Sequence, residues 1–414
     1  MGKELSLCLA VIAAAWAPTS AKAAQNVPTT ALHIEVVDDE ANRLDRALHD
    51  AVTQAGIVGP STAVIVDGRI VWTRAYGLAD REGKVPLTPE APMRVASIAK
   101  TMIGITMMRL VAEGQLDLDK DINVYLPFRV VNPHHPEATI TLRHLATHTS
   151  SITERRDFYA CLYRPIGEPR VDLHELLADY LVPVGASYQA SNFLEVPPGA
   201  SRDYSNLAAT LAAYIVERVS GESFDAHTER VIFAPLALRT ARWTGISRNG
   251  GSASELYDQD EAVTRRIEPY ALASYPDGGL EISGADLARY FATPMVDGSY
   301  GGVRVIEPAA LAEMKRFQWS AENKPADFDL ADGNSGLFWR TKLSGRRIGH
   351  GGNDTGVSAE MLTDSKGRVG IVMISNTSLH GEANLQLMHI IDALTAFGEA
   401  IAVQTTSVEF EEKK

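Results

Sequence analysis

Ser97 and Lys100, in the run Ser97-Ile98-Ala99-Lys100, form the only S-x-x-K of the chain. A free serine hydroxyl is a poor nucleophile at neutral pH and needs a partner to take its proton. A lysine three residues later lies one turn on and on the same face, provided both belong to a helix. The residues that follow predict that helix over 97–113. Ile98, Met102, Ile105 and Met108 are apolar at helical spacing, and Gly114 ends the pattern. Ser97 then stands at the helix N-terminus, where unpaired N–H groups and the dipole favour developing negative charge. Serine and lysine are common, so about one S-x-x-K arises by chance in a chain this long. The pair needs support from the rest of the sequence.

The elements that must position the pair can be read from pattern. Residues 62–76 predict a β-hairpin turned at Asp67-Gly68. Helical stretches are expected over 144–149, 173–180 and 207–219, the last stopped by Gly221. Ser283 to Asp286 has capping form ahead of a further helix. Short strands are expected over 336–342, 357–363 and 369–375, and a last helix over 383–397. Strands at both ends with helices between give an α+β class: an antiparallel sheet flanked by helices plus a helical subdomain. The expected sheet is built from 24–95 and 285–400, the helical part is about 96–284, and 401–414 is a polar tail.

Composition bounds the function. The 414 residues are 45% hydrophobic and 22% charged with a net charge of −13, an ordinary globular balance without the basic stripe a nucleic-acid partner needs. Lys3, the apolar run 5–17 and Ala21-Lys22-Ala23 have the form of an export signal, residues 1–23, cleaved to leave a domain over 24–400. The expected location is therefore periplasmic or secreted, with no membrane insertion after cleavage. Removing 1–23 removes Cys8 and leaves Cys161, expected as an inert buried thiol with no internal disulfide. No other segment reads as long and apolar enough to span a bilayer. His144 and His148 are four apart, but no H-E-x-x-H pattern completes a metal site, so a structural role is expected. No G-x-S-x-G elbow or glycine-rich phosphate loop is present, and no cofactor is expected.

Two further triplets give the S-x-x-K its context. Tyr204-Ser205-Asn206 is the only Y-x-N, and His350-Gly351-Gly352 lies on an expected late strand. In this order and at these separations the motifs resemble the serine β-lactamase and penicillin-binding-protein superfamily, in its class C β-lactamase-like branch of D-peptidases and esterases. The likeness runs from about Leu48 to Phe397 and includes the hairpin from Asp67-Gly68 to Tyr76-Gly77, the run Thr141-Leu142-Arg143-His144-Leu145 to His148-Thr149-Ser150, and Gly278-Gly279-Leu280 with Ser283 and Asp286-Leu287-Ala288. The resemblance implies a β-lactamase/transpeptidase-like fold and an acyl-enzyme hydrolase for esters, small amides or D-amino-acid peptides, with β-lactamase or D-alanyl-D-alanine carboxypeptidase as the alternative and a catalytically weak binding protein as the alternative of another class. It implies Ser97 as nucleophile, with Lys100 and Tyr204 sharing its proton. It also implies that Asn206 places substrate or lysine, and that the backbone N–H groups of Ser97 and Asn353 form an oxyanion hole. Gly351 and Gly352 would let substrate approach the strand.

Three departures qualify it. His350 stands where β-lactamases carry a carboxylate-attracting lysine, which implies a preference for uncharged esters or amides over penicillins. Ser151 replaces a usual glycine. Residues 153–196 form a long stretch that reads equally as pocket wall or as surface loop.

Overall fold

The structure, a computed structural model, describes residues 38–243, 254–260 and 263–411. The expected export signal lies outside the described residues. The sheet is assembled from two distant stretches of chain. β1 (Pro60–Val66) and β2 (Arg69–Ala75) are the expected hairpin. The C-terminal part supplies β3 (Arg340–Lys342), β4 (Arg347–Asp354), β5 (Val357–Thr363) and β6 (Val369–Ser375). The strand order is β3-β4-β5-β6-β1-β2, every pair antiparallel.

Six helices matter for the site and its frame: α1 (Asp38–Ala55), α2 (Lys100–Ala112), α3 (Leu142–Thr147), α4 (Asn206–Ser220), α5 (Gly284–Met295) and α6 (Ala383–Glu411). Successive side chains of a strand point to opposite faces, and β1 shows which helix covers which face. A Cβ on Gly284 of α5 would stand 2.2 Å from Ser61 Oγ, whereas one on Gly398 of α6 would stand 2.9 Å from Val64 Cγ1. Ser61 and Val64 lie on opposite faces, so α5 and α6 sandwich the sheet. Trp72 of β2 and Phe397 of α6 meet edge-on at 5.5 Å on the α6 side, and α1 packs along α6. With both faces covered, β1 and β6 are buried along their whole length. That is why they read as continuous apolar runs instead of alternating ones.

Several expectations need correction. The part expected to be helical, 96–284, also carries short strands. Tyr163–Pro165 pairs with Tyr270–Leu272, and Leu280–Ile282 pairs with both Met93–Arg94 and Arg242–Trp243. Leu256–Asp260 pairs with Val263–Ile267. Most of these runs are two or three residues long and pair with remote chain, so no local periodicity announces them. The strand expected from 336 begins only at Arg340. Leu337 N–H donates to Met314 O at 2.8 Å and Phe338 N–H to Ala146 O at 2.9 Å, with Phe338 at φ +51°. Those bonds tie 337–338 to the helical side and withdraw them from the sheet.

The last helix passes its expected end and continues to Glu411; Ile401 and Ala402 are buried, so the expected polar tail starts inside a packed helix. Residues 383–405 of α6 are long and apolar enough to cross a membrane, which the sequence reading missed. In this fold Ile390, Ile391 and Leu394 are buried. Cys161 is exposed, not buried, its thiol directed at Asp157 O.

Candidate active site

The nucleophile turn is built by a left-handed residue. Ala96 has φ +46°, a conformation that a residue with a Cβ adopts at some cost. It opens a 3-10 turn, Ala96–Ala99, that runs directly into α2. In the run Met93–Lys100 every residue is buried except Ser97, which is half-buried and faces a cavity of about 320 Å³. The turn is pinned from two sides. Val95 N–H donates to Leu280 O at 3.2 Å, and Gly352 of β4 passes so close that an added Cβ would lie 2.1 Å from Val95 O. Gly352 is therefore required by packing of backbone on backbone. Gly352→Ala should push β4 off the turn, and because a displacement of 1 Å can cost roughly 100-fold, ester hydrolysis should fall by about that factor. Wild-type turnover in that variant would show that the strand need not approach so closely.

Lys100 is fully buried and has three oxygen partners. Its Nζ lies 3.1 Å from Ser97 Oγ, 2.6 Å from Asn206 Oδ1 and 2.7 Å from Asp277 O. An ammonium would donate to all three. A neutral amine would donate to Asn206 and Asp277, which can only accept here, and turn its lone pair to the Ser97 hydroxyl. Both protonation states are thus satisfied in one geometry, which is what a group that takes and returns a proton needs.

The Y-x-N triplet is spread over a helix start. Ser205 is the N-cap of α4 and accepts from Ala208 N–H at 3.0 Å, and Asn206 is the first helical residue. Tyr204, just before the cap, points its ring into the site, 5.1 Å from Lys100 Nζ. His148 stacks on that ring at 4.2 Å. The Tyr204 hydroxyl is buried and makes no hydrogen bond. An unpaired buried hydroxyl beside a lysine–serine pair is a group poised for an incoming partner.

The histidines hold this arrangement from behind. His148 caps α3 in the left-handed conformation, φ 58°, and its Nδ1 accepts from Ser205 N–H at 3.3 Å. Burial, helped by the Lys100 charge, holds its imidazole well below the usual histidine range, so it is neutral. His350 does not line the cavity, which corrects the expectation that it meets substrate. It is buried, its ring lies 6.5 Å from that of Tyr204, and its Nδ1–H donates to Gly351 O at 2.7 Å. Burial, then the Arg340 charge, keeps it neutral as well. Strand alternation puts His350 on the same side as Gly352, behind Tyr204, and its neutral imidazole brings no charge to the site. Gly351, Gly352 and Asn353 do line the cavity with Ser97 and Tyr204.

Several site residues escaped the sequence reading. Asp277 is fully buried, and burial raises its carboxyl above the ordinary range. It accepts from Tyr159 Oη and Thr210 Oγ1, both at 3.2 Å, while its carbonyl holds Lys100. Its signal was the adjoining Gly278-Gly279-Leu280. Glu154 caps α4, accepting from Asn206 N–H at 2.8 Å and Leu207 N–H at 3.2 Å. Arg340 and Lys342 of β3, with Glu360 of β5, also line the cavity. The stretch 153–196 is folded: Tyr159 reaches Asp277 and Tyr163 donates to Asp354 at 2.6 Å, so it braces the site although none of its residues lines the cavity. Ser151 takes the left-handed conformation, φ 64°, that a glycine would adopt freely; its Oγ accepts from Asn132 Nδ2 at 2.9 Å. Among the described residues no His, Cys, Asp and Glu group could hold a metal ion.

Glu154 yields a pH prediction. Burial raises its carboxyl to about 7, against the pull of its two N–H donors. The folded protein then binds the proton more tightly than the unfolded chain. Stability is unpenalised below the unfolded value of about 4.5 and falls as pH rises toward 7. Glu154→Gln removes this slope, so the variant should gain on wild type between about pH 5 and pH 7, by on the order of 2–3 kcal/mol. Urea unfolding at those two pH values measures it; a stability difference that does not change with pH contradicts the assignment.

Comparison with known proteins places the geometry. A family model described as Beta-lactamase matches residues 44–395. The chain belongs to this family, and its fold is β-lactamase/transpeptidase-like. Esterase EstB of Burkholderia gladioli is 32% identical over 202 residues, 48% of this chain and 50% of that protein. The chain therefore spans about half the length of that curated relative. D-amino acid amidase from Ochrobactrum anthropi SV3 superposes with TM-score 0.68 at 22% identity over 86% of this chain and 98% of that one. A D-stereospecific amidohydrolase from Streptomyces sp. does so with TM-score 0.62 at 25% identity, over 84% and 97%.

Proposed function

We propose that the protein is an exported serine hydrolase that works through an ester on Ser97, acting on carboxylic esters, small amides or D-amino-acid peptides. The observation that carries this is the 3.1 Å contact of Lys100 Nζ with the one half-exposed residue, Ser97, of an otherwise buried turn. In the reaction Ser97 Oγ attacks the carbonyl carbon as its proton passes to Lys100 or Tyr204. The oxyanion is held by the backbone N–H groups of Ser97 and Asn353. The proton returns to the leaving alcohol or amine, the C–O or C–N bond breaks, and water repeats the sequence to free the acid and Ser97. The names of the esterase and amidohydrolase relatives support the ester and amide classes.

The test is a substrate panel: p-nitrophenyl butyrate, D-alanine p-nitroanilide, a D-Ala-D-Ala peptide and penicillin G. Turnover of the ester or the D-amide, blocked by prior treatment with a fluorophosphonate, is expected. A protein that turns over none of the four overturns the reading. Export rests on the form of residues 1–23, and a processed periplasmic protein beginning at Ala24 is its expected sign.

A further inference from the structure

Where β4 meets the site it is supported along one edge only. Its pairing with β3 runs from Arg347 to Gly349, whereas its pairing with β5 continues to Asp354, opposite Val357. From His350 to Asp354 the strand therefore has β5 as its one strand neighbour among the described residues. Asn353, which lines the cavity beside Ser97, lies in that stretch. An N–H that is to hold an oxyanion must have its direction fixed before the substrate arrives. On the nucleophile side β4 is fixed by the close approach of Gly352 to Val95 O. Beyond Asn353 it is fixed from outside the sheet.

Two tyrosines supply that outer support. Tyr163 Oη donates to Asp354 Oδ1 at 2.6 Å, and Tyr270 Oη donates to Thr355 O at 2.9 Å. Both belong to one small sheet, in which Tyr163–Pro165 pairs with Tyr270–Leu272, and their rings lie 5.0 Å apart. Burial, then the Asp354 charge, hold the Tyr163 phenol above its ordinary range, so it stays protonated and donating. The turn after β4 closes without it, because Asp354 Oδ1 also accepts from Thr355 N–H at 2.8 Å. The bond from Tyr163 is thus an addition to a formed turn, and a bond to a carboxylate is of the stronger kind. Four residues earlier in the same segment, Tyr159 donates to Asp277, whose carbonyl holds Lys100. One arm therefore reaches both the lysine side of the site and the far end of β4.

We propose that Tyr163, with Tyr270 beside it, is a positioning residue for the oxyanion hole: by holding Asp354 and Thr355 it fixes the direction of the Asn353 N–H. This inference rests on the serine hydrolase reading above, in which Asn353 supplies one of the two donors. Neither tyrosine touches the reacting atoms; each acts through the backbone of β4. The stretch 153–196 then contributes to the rate without lining the cavity.

The experiment uses Tyr163→Phe, which deletes one hydroxyl and keeps the ring. For p-nitrophenyl butyrate kcat should fall roughly tenfold, a fraction of the 10²–10³ that losing an oxyanion donor outright costs. KM should stay near its wild-type value, because the loss falls on the transition state. Butyl trifluoromethyl ketone reads the same geometry: Ser97 Oγ bonds to its carbonyl carbon, the π pair moves to the oxygen, and the serine proton passes to Lys100 or Tyr204. Its affinity should fall by the same factor as kcat. Asp354→Asn keeps an acceptor oxygen and loses the charge, so it should show the same pattern with a smaller loss, and it carries the test if Tyr163→Phe does not fold. A lower melting temperature with kcat and ketone affinity unchanged would mean that Tyr163 serves the fold alone, which overturns the proposal. Amide hydrogen exchange, followed by mass spectrometry on the peptide covering 350–356, needs no substrate. Exchange there should quicken about tenfold in the variant, the scale of one lost hydrogen bond to a charged group, and unchanged exchange overturns the proposal. Failure of wild type to cleave the ester or to bind the ketone counts against the hydrolase reading, and the exchange result then decides by itself whether Tyr163 orders β4.

Discussion

Ser97→Ala should leave a folded protein without measurable ester hydrolysis. Removing the nucleophile of a serine hydrolase lowers kcat by on the order of 10⁶. Little in the fold depends on the lost hydroxyl. Ser97 is half-buried at the cavity, and Lys100 keeps Asn206 Oδ1 and Asp277 O as acceptors. The melting temperature should therefore change little, and the catalytic loss cannot be blamed on unfolding. Substantial hydrolysis by the variant would mean that another group attacks the carbonyl.

Tyr204→Phe should also separate activity from stability. The tyrosine hydroxyl is buried and unpaired, so deleting it orphans no partner and leaves the ring stacked 4.2 Å from His148. Such a deletion is neutral or slightly stabilising. General acid–base groups contribute roughly 10²–10⁴-fold in rate, and kcat should fall within that range. The unpaired hydroxyl is the structural mark of this trade. Near-normal turnover in Tyr204→Phe would assign the whole proton transfer to Lys100.

What was legible in the sequence follows the range of the forces involved. Local patterns were readable: the hairpin of β1 and β2, α2 with its stop at Gly114, and the cap at Ser283, whose side chain does accept from Asp286 N–H. The three motif triplets were readable because each is contiguous. What failed was set by remote chain. Asp277, Glu154 and Arg340 reach the site from the approach to a short strand, from the stretch after α3, and from the edge strand β3, and no spacing in the sequence connects them. His350 was placed on the right strand, but whether its side chain meets substrate depends on the Tyr204 ring packed beside it. The extent of α6 was underestimated because Gly398 interrupts the apolar pattern; in the fold that glycine faces the sheet, where an added Cβ would stand 2.5 Å from Val369 Cγ1 of β6 and 2.9 Å from Val64 Cγ1 of β1.

The central claim is that Ser97 forms a covalent intermediate, and intact-mass spectrometry with peptide mapping tests it most directly. After exposure to a fluorophosphonate the account predicts one phosphonyl adduct per chain, located on the peptide that contains Ser97 and absent from Ser97→Ala. An adduct mapped to another serine, or an unmodified mass in protein that still hydrolyses esters, would contradict it.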